Sequence, residues 1–191
     1  MMERTLVLFK PDAIQRAIVG ELLSRFEKTG LKVIGLKMVH ASADQAGEHY
    51  VDDEEWLKGV GEKALKSYEK QGVEVKETPK EIGLRIRRQL IHFISMSPAI
   101  AICIEGNGAI EKVRTIVGAT APMNALPGTI RGDYAFDSYG LADELGRPLQ
   151  NLIHASDSVE NANRELKIWF DEKELFPYQR VDEALMYRKG E

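Results

Sequence analysis

A chain of 191 residues can hold one domain with its own core, and a 43% hydrophobic content favours a folded globule over a disordered chain. With 26 Lys and Arg against 30 Asp and Glu, net −4, it lacks the basic surface that general nucleic-acid binding requires. The single cysteine, Cys103, excludes an intrachain disulfide and reads as a small core residue within AIAICIE. No apolar run approaches the length of a membrane span, and MMERTLVLFKPD lacks the shape of a signal peptide, so a cytoplasmic, reducing setting is expected.

RTLVLF, from Arg4 to Phe9, is a strand-like run that Pro11 stops. Val19, Leu22, Leu23 and Phe26 recur at helical spacing, with Gly30 placed to cap the end. LKVIGLKMVH reads as a second strand, and Ser42 with Gln45 has the spacing of a capping box opening a short helix. Leu57, Val60, Ala64, Leu65 and Tyr68 form another helical stripe, which Gly72 ends. The polar VEVKETP, from Val73, is expected to be exposed. Ile82, Ile86, Leu90, Phe93 and Ile94 share one helical face, PAIAICIEG is the most strand-like run, and Ile110, Val113, Ile116 and Val117 mark a further helix. The Gly/Pro/Asp-rich stretch from Ala119 to Gln150 reads as a long loop. LIHAS is a brief strand, and a last helix puts Val159, Ala162, Leu166, Trp169 and Phe170 on one stripe, with Asp157 as its N-cap. The order β-α-β-α-α-α-β-α-loop-β-α implies a single-domain α+β sandwich.

The chain has no phosphate loop of the G-x-x-x-x-G-K-[ST] type, no G-x-G-x-x-G after a strand, and no paired His/Cys spacing for zinc. His49 near Asp52 and Asp53 reads as part of a solvated acidic turn, and the RGD at Arg131–Asp133 as coincidence. Three features remain. Lys10 ends the first strand, where sheets present functional side chains. Arg114 and Arg131 flank VGATAPMNALPGTIRGD, and a guanidinium forks onto phosphate oxygens. His154 precedes a helix start, which favours negative charge, and imidazole is a good nucleophile with a reference pKa of about 6.5. Singly each has an ordinary structural explanation; jointly they suggest a phosphoryl group carried on His154 between lysine and arginine.

TLVLFKPDA, GATAPMNALPGTIRGDYA and NLIHASDSVENANREL closely resemble, in order, the signatures of the nucleoside diphosphate kinase family. The resemblance implies phosphoryl exchange between nucleoside tri- and diphosphates such as ATP and GTP, by a ping-pong route with Mg²⁺ bound mainly through the nucleotide phosphates. It implies a ferredoxin-like α+β sandwich, with a four-stranded antiparallel sheet, helices on its faces and a helical insertion. It also implies dimers, in some members stacked into hexamers. By resemblance His154 is the nucleophile, Lys10 touches the transferred phosphate, Arg114 and Thr120 the β-phosphate side, and Arg131 the γ-phosphate. Asn151 binds the ribose and phosphate region, and Tyr50 and Ser156 neighbour the phosphohistidine. Glu165 bonds the other imidazole nitrogen, and Ile86 and Leu90 lie at the base.

Two insertions depart from the family pattern, near 53–82 and 136–148. Ile86 stands where the family carries a base-stacking Phe, losing an aromatic contribution of roughly 0.5–1.5 kcal/mol unless Tyr68 of the insertion covers the base. The rival reading is a nucleotide-binding regulatory or scaffold protein on the same fold. Such a protein is expected to have lost the histidine or the arginines, and both are present. An RNA-binding version would need an aromatic-rich strand, which AIAICIE is not.

Overall fold

Four strands, β1 (Met2–Phe9), β2 (Lys32–Val39), β3 (Ala99–Asn107) and β4 (Ile153–Ala155), form one antiparallel sheet in the order β2-β3-β1-β4. The computed structural model describes residues 2–72 and 74–190, without the side chains of Lys70 and Gln71. The exposed stretch expected from Val73 therefore begins outside the described residues.

β1 is apolar on both faces because both faces are covered. Val7 and Phe9 join Ile100, Ile102 and Ile104 in one core, against α1 (Pro11–Gln15), α2 (Val19–Glu27) and α6 (Ala109–Val117). Leu6 and Leu8 join Ile34, Ala101 and Cys103 in the other, against α3 (Ala43–His49), α5 (Pro79–Ser95) and α9 (Val159–Trp169). Cys103 is fully buried, and burial pushes its thiol up to about 12. The architecture is the expected ferredoxin-like α+β sandwich. No helix among the described residues is long and apolar enough to cross a membrane.

The helical insertion is α4 (Glu54–Gln71), capped by Asp53, whose carboxylate accepts from Trp56 N at 2.9 Å, and closed by Gly72 at φ 69°. A reciprocal Thr78–Glu81 capping box then starts α5. The two helices touch backbone to backbone. A Cβ at Gly61 would lie 1.8 Å from Pro79 O, and one at Gly83 2.1 Å from Leu57 O. Only glycine permits that approach, so the insertion is fixed to the helix that carries Ile86 and Leu90.

Three sequence expectations are corrected. The 119–150 stretch is not one loop: it holds a 3-10 turn at Pro122–Asn124, α7 (Ile130–Tyr134) and α8 (Tyr139–Glu144). Helices of five and six residues are too short to leave a periodic stripe; their signals are the caps Thr129 and Ser138. The N-cap of α9 is Ser158, accepting from Asn161 N at 3.1 Å, while Asp157 accepts from the Asn161 side chain; this turns Val159 to solvent. Ser42 caps α3, but the Gln45 amide donates to Ile168 O, so that capping box is only half formed.

Candidate active site

A cleft of about 400 Å³ runs from the ends of β1 and β4 to the α4–α5 pair, and every residue singled out for the site except Ser156 and Tyr68 lines it. Ser156 lies fully buried directly behind.

The phosphate end is built where β1 and β4 stop. Lys10 N donates to Leu152 O at 2.9 Å, and Asp12, in the first turn of α1, accepts from Leu152 N at 2.9 Å. These bonds hold Leu152 in the left-handed region at φ 67°, a costly position for a branched side chain. The resulting bend turns Asn151 toward Lys10 and sends His154 up β4. Lys10 Nζ donates to Asn151 Oδ1 at 2.7 Å, and Asn151 Nδ2 donates to Thr120 O at 2.7 Å. Lys10 is almost wholly buried, and burial lowers its ammonium to about 8, against the pull of Asp12 and with the help of Arg131.

Arg131 is buried and anchored to backbone. Nε donates to Asn151 O at 3.2 Å, Nη1 to Gly118 O at 3.0 Å and Ala119 O at 3.2 Å, and Nη2 to Ile153 O at 2.5 Å. Of five guanidinium N–H groups one remains for a ligand. Burial, then the nearby Arg114 charge, lowers it to about 10. The RGD tripeptide is thus not an exposed loop. Arg114 is exposed at the cleft; its carbonyl accepts from Gly118 N at 3.0 Å, while its guanidinium has no hydrogen bond or ion pair among the described residues. The two arginines divide the work: one fixes the loops, the other is free for an anion.

His154 Nε2 bonds Glu165 Oε2 at 2.8 Å, which leaves Nδ1 for the cleft. Ser156 Oγ donates to the same Oε2 at 2.7 Å and accepts from Leu6 N at 3.3 Å. Burial pushes the Glu165 carboxyl up, but the His154 ring and its hydrogen bond, with His49 and Ser156, outweigh it and hold the pKa at about 2. As a carboxylate it accepts the Nε2 proton, fixing the ring with a lone pair on Nδ1. Tyr50 packs on the same side, its phenol pushed up by burial.

His49 overturns its sequence reading. It is 3% exposed, stands apart from the exposed Asp52 and Asp53, and meets the His154 ring edge to face, centroids 4.4 Å apart. Its burial comes from α9, through a Trp169 Nε1 bond to Nδ1 at 3.3 Å, a long-range contact that local composition does not encode.

The base end is mainly apolar, although Lys63, Gln89, Asp143 and Arg147 also line the cleft. Trp56, Val60 and Ala64 of α4 face it with Ile86 and Leu90 of α5, and Tyr139, Ala142, Pro148 and Leu149 form the opposite side. Trp56 was missed by sequence reasoning. Tyr68 does not line the cleft; it is buried behind the wall with Ala64 and Ile82, and its hydroxyl donates to Asp143 Oδ1 at 3.0 Å, joining α4 to α8. Arg85 donates to the Tyr68 hydroxyl at 3.3 Å, and Gln89 Nε2 to Gly146 O at 3.1 Å.

A positively charged, histidine-headed cleft with an apolar far end fits a nucleotide phosphate-first. A family model described as nucleoside diphosphate kinase matches residues 3–58 and 80–175. The chain belongs to the nucleoside diphosphate kinase family. A nucleoside diphosphate kinase of Pyrobaculum aerophilum is 46% identical over 179 residues, covering 91% of this chain and 98% of that one. One from Pyrococcus abyssi is 40% identical over 188 residues, covering 98% and 96%. A crystal structure of the NDP kinase from Pyrobaculum aerophilum superposes with TM-score 0.90 at 44% identity, covering 93% of this chain and all of that one. A Borrelia burgdorferi nucleoside-diphosphate kinase, a transition state mimic with bound vanadate and ADP, superposes with TM-score 0.79 at 35% identity over 97% of each chain. The activity is that of a nucleoside-diphosphate kinase, a nucleotide-binding phosphotransferase.

Proposed function

We propose that phosphoryl exchange runs through His154 by a ping-pong route. The observation that carries this is the Nε2–Glu165 bond, which leaves the Nδ1 lone pair at the cleft beside Lys10 and Arg114. Nδ1 attacks the γ-phosphorus of a nucleoside triphosphate, the N–P bond forms as the β–γ P–O bond breaks, and the electron pair leaves on the β-phosphate oxygen. The Nε2 proton stays against Glu165, whose carboxylate balances charge on the ring. The terminal oxygen of a second diphosphate then attacks phosphorus and releases His154 unchanged. Lys10 and the remaining N–H of Arg131 face the transferred group, Arg114 and Thr120 the β-phosphate, and Asn151 the ribose and phosphate region. The vanadate and ADP of the Borrelia relative are consistent with such a site.

Mg²⁺ enters as part of the substrate. A hard cation wants several oxygen ligands. Among the described residues Asp12 is committed to backbone N–H groups and Glu165 to His154 and Ser156, and Asp157, exposed at the cleft with Oδ1 on Asn161, is a single carboxylate that cannot by itself fill a cation's shell. The ion therefore fits as the counter-charge of the nucleotide phosphates.

The base lies against Ile86 and Leu90, with Trp56 close by, and no aromatic replaces the family's stacking Phe at position 86. The domain is single, with insertions near 53–82 and 136–148; the gap in the family match between 58 and 80 supports the first. Exposed Leu36 and Met38 on the edge strand β2 support assembly with further copies of the chain, as a dimer-based homo-oligomer, and the buried thiol suits a cytoplasmic setting. Incubation with γ-labelled ATP and Mg²⁺ is expected to give an acid-labile, base-stable label that a diphosphate chase removes. Label that survives His154→Ala sinks the assignment.

A further inference from the structure

His49 takes no part in the steps above, yet it touches the nucleophile. Trp169 Nε1–H is only a donor, so its bond to His49 Nδ1 fixes the tautomer with the proton on Nε2. That Nε2–H is buried and has no hydrogen-bond acceptor, a rare state for a polar group in a folded protein. The ring stands at 83° to His154, 4.4 Å between centroids, and at 72° to Tyr50, 4.7 Å away. Its backbone is fixed as well: Arg164 Nη1 and Nη2 donate to Glu48 O at 2.9 Å and His49 O at 3.4 Å, and Arg87 closes the end of α3 through Tyr50 O at 2.7 Å.

Ligand atoms of His49, His154 and Glu165 lie within 4.8 Å of one another, a spacing that suggests a metal site. The tautomer argues otherwise. Nδ1 already accepts an N–H and Nε2 carries the proton, so His49 has no lone pair to offer a cation. What it offers His154 is a buried ring of fixed tautomer in perpendicular contact, with an unpaired N–H.

We propose that His49 is a positioning residue for the nucleophile: its perpendicular contact holds the His154 ring in register with Glu165, and its Nε2–H dipole opposes positive charge on that ring. The proposal rests on His154 being the phosphate acceptor. The ring is positive in two states, the protonated resting histidine and the phosphohistidine that keeps its Nε2 proton. Opposing the first keeps the nucleophile available at lower pH. Opposing the second makes the N–P bond easier to break when a diphosphate oxygen attacks, the electron pair returning to Nδ1. Asp157 and Glu165 are the carboxylates that interact with the His154 ring, while Arg164 and Lys10 disfavour a charge on His49. Burial, then the His154 charge, keeps His49 itself neutral, well below the ordinary histidine range.

The test begins with the unmodified enzyme. Long-range ¹H–¹⁵N spectra of the ring nitrogens are expected to show His49 as the neutral Nε2–H tautomer from about pH 5 to 8; the Nδ1–H form or a charged ring in that range overturns the proposal. His49→Phe keeps a ring without the N–H, and His49→Gln returns an N–H close to the Nε2 position. In His49→Phe the acid limb of kcat/KM is expected to move up by about 0.5–1 pH unit. Dephosphorylation by diphosphate is expected to slow by about 5- to 10-fold, with KM within about twofold and His49→Gln close to the parent enzyme. An unmoved limb in a normally labelled His49→Phe, or equal behaviour of the two variants, overturns the proposal and leaves the phosphohistidine reading intact. Label persisting in His154→Ala overturns that reading and leaves the His49 tautomer standing. If His49→Phe does not fold, the spectra of the unmodified enzyme decide.

Discussion

The two ends of the cleft are built in opposite ways. The phosphate end is polar, assembled from strand ends and loops, and held by backbone: Arg131 alone ties Gly118, Ala119, Asn151 and Ile153. The base end is built mainly of apolar helix faces, with Lys63, Gln89, Asp143 and Arg147 at its margins. One end demands fixed donors where charge moves; the other needs only shape. Substitutions at the phosphate end are therefore expected to fall on kcat, and those at the base end on KM.

Arg131→Ala should break the comparison hardest. It leaves buried carbonyls without donors and removes a cation from the cleft, so activity should fall by about 10³-fold and stability by roughly 3 kcal/mol, read by steady-state kinetics and urea unfolding. A loss confined to KM would show that Arg131 is no more than a binding contact. Glu165→Gln comes next, with kcat expected to drop by about 10²-fold. Its carboxyl pKa, about 2 in the fold against an ordinary value of 4.5, also sets a stability window. The depressed value means the contribution, on the order of 2–3 kcal/mol, is present above the unfolded value and is lost as pH falls from 4.5 toward 2. Glu165→Gln should flatten that acid loss in a thermal melt series.

Gly83→Ala tests the base end. Its Cβ would lie 2.1 Å from Leu57 O and must push α4 off α5, costing about 1–3 kcal/mol and raising KM by about tenfold with kcat held. Unchanged KM would detach the insertion from base binding. For Lys10, with its ammonium lowered to about 8, the charge is present below that pH and lost above it. The kcat/KM of the free enzyme should therefore decline above about pH 8, while kcat holds because bound phosphate keeps the proton in place. Lys10→Gln should remove that limb. Smallest is Tyr68→Phe, which deletes the link between Asp143 and Arg85; about 1 kcal/mol of stability and a KM change of about threefold are expected.

The same contrast decides what the sequence could reveal. At the phosphate end the informative residues sit in contiguous runs, and Lys10, Asn151 and His154 were legible because one bend and one strand pairing, Leu8 opposite His154, bring them together. The ties of Arg131 were not legible: a guanidinium bound to backbone carbonyls leaves no pattern of side-chain types. His49 was read as an acidic turn because its partners, Trp169 and His154, are far along the chain. At the base end the helical stripes of α4 and α5 were visible, but a stripe does not say which turn faces a cleft. Trp56 was missed and Tyr68 overvalued for that reason. The fold followed from strand and helix periodicity and from the family motifs, whereas α7 and α8 are too brief for periodicity to register.

The glycine contact between α4 and α5 bears on temperature. Helices separated by side chains can widen their spacing as rotamers loosen with heat. Here the Gly61 and Gly83 surfaces meet bare carbonyls, with no side chain between to rearrange. The width of the cleft at the base is thus set by main chain, and it should hold nearly constant up to the temperature at which the pair unfolds.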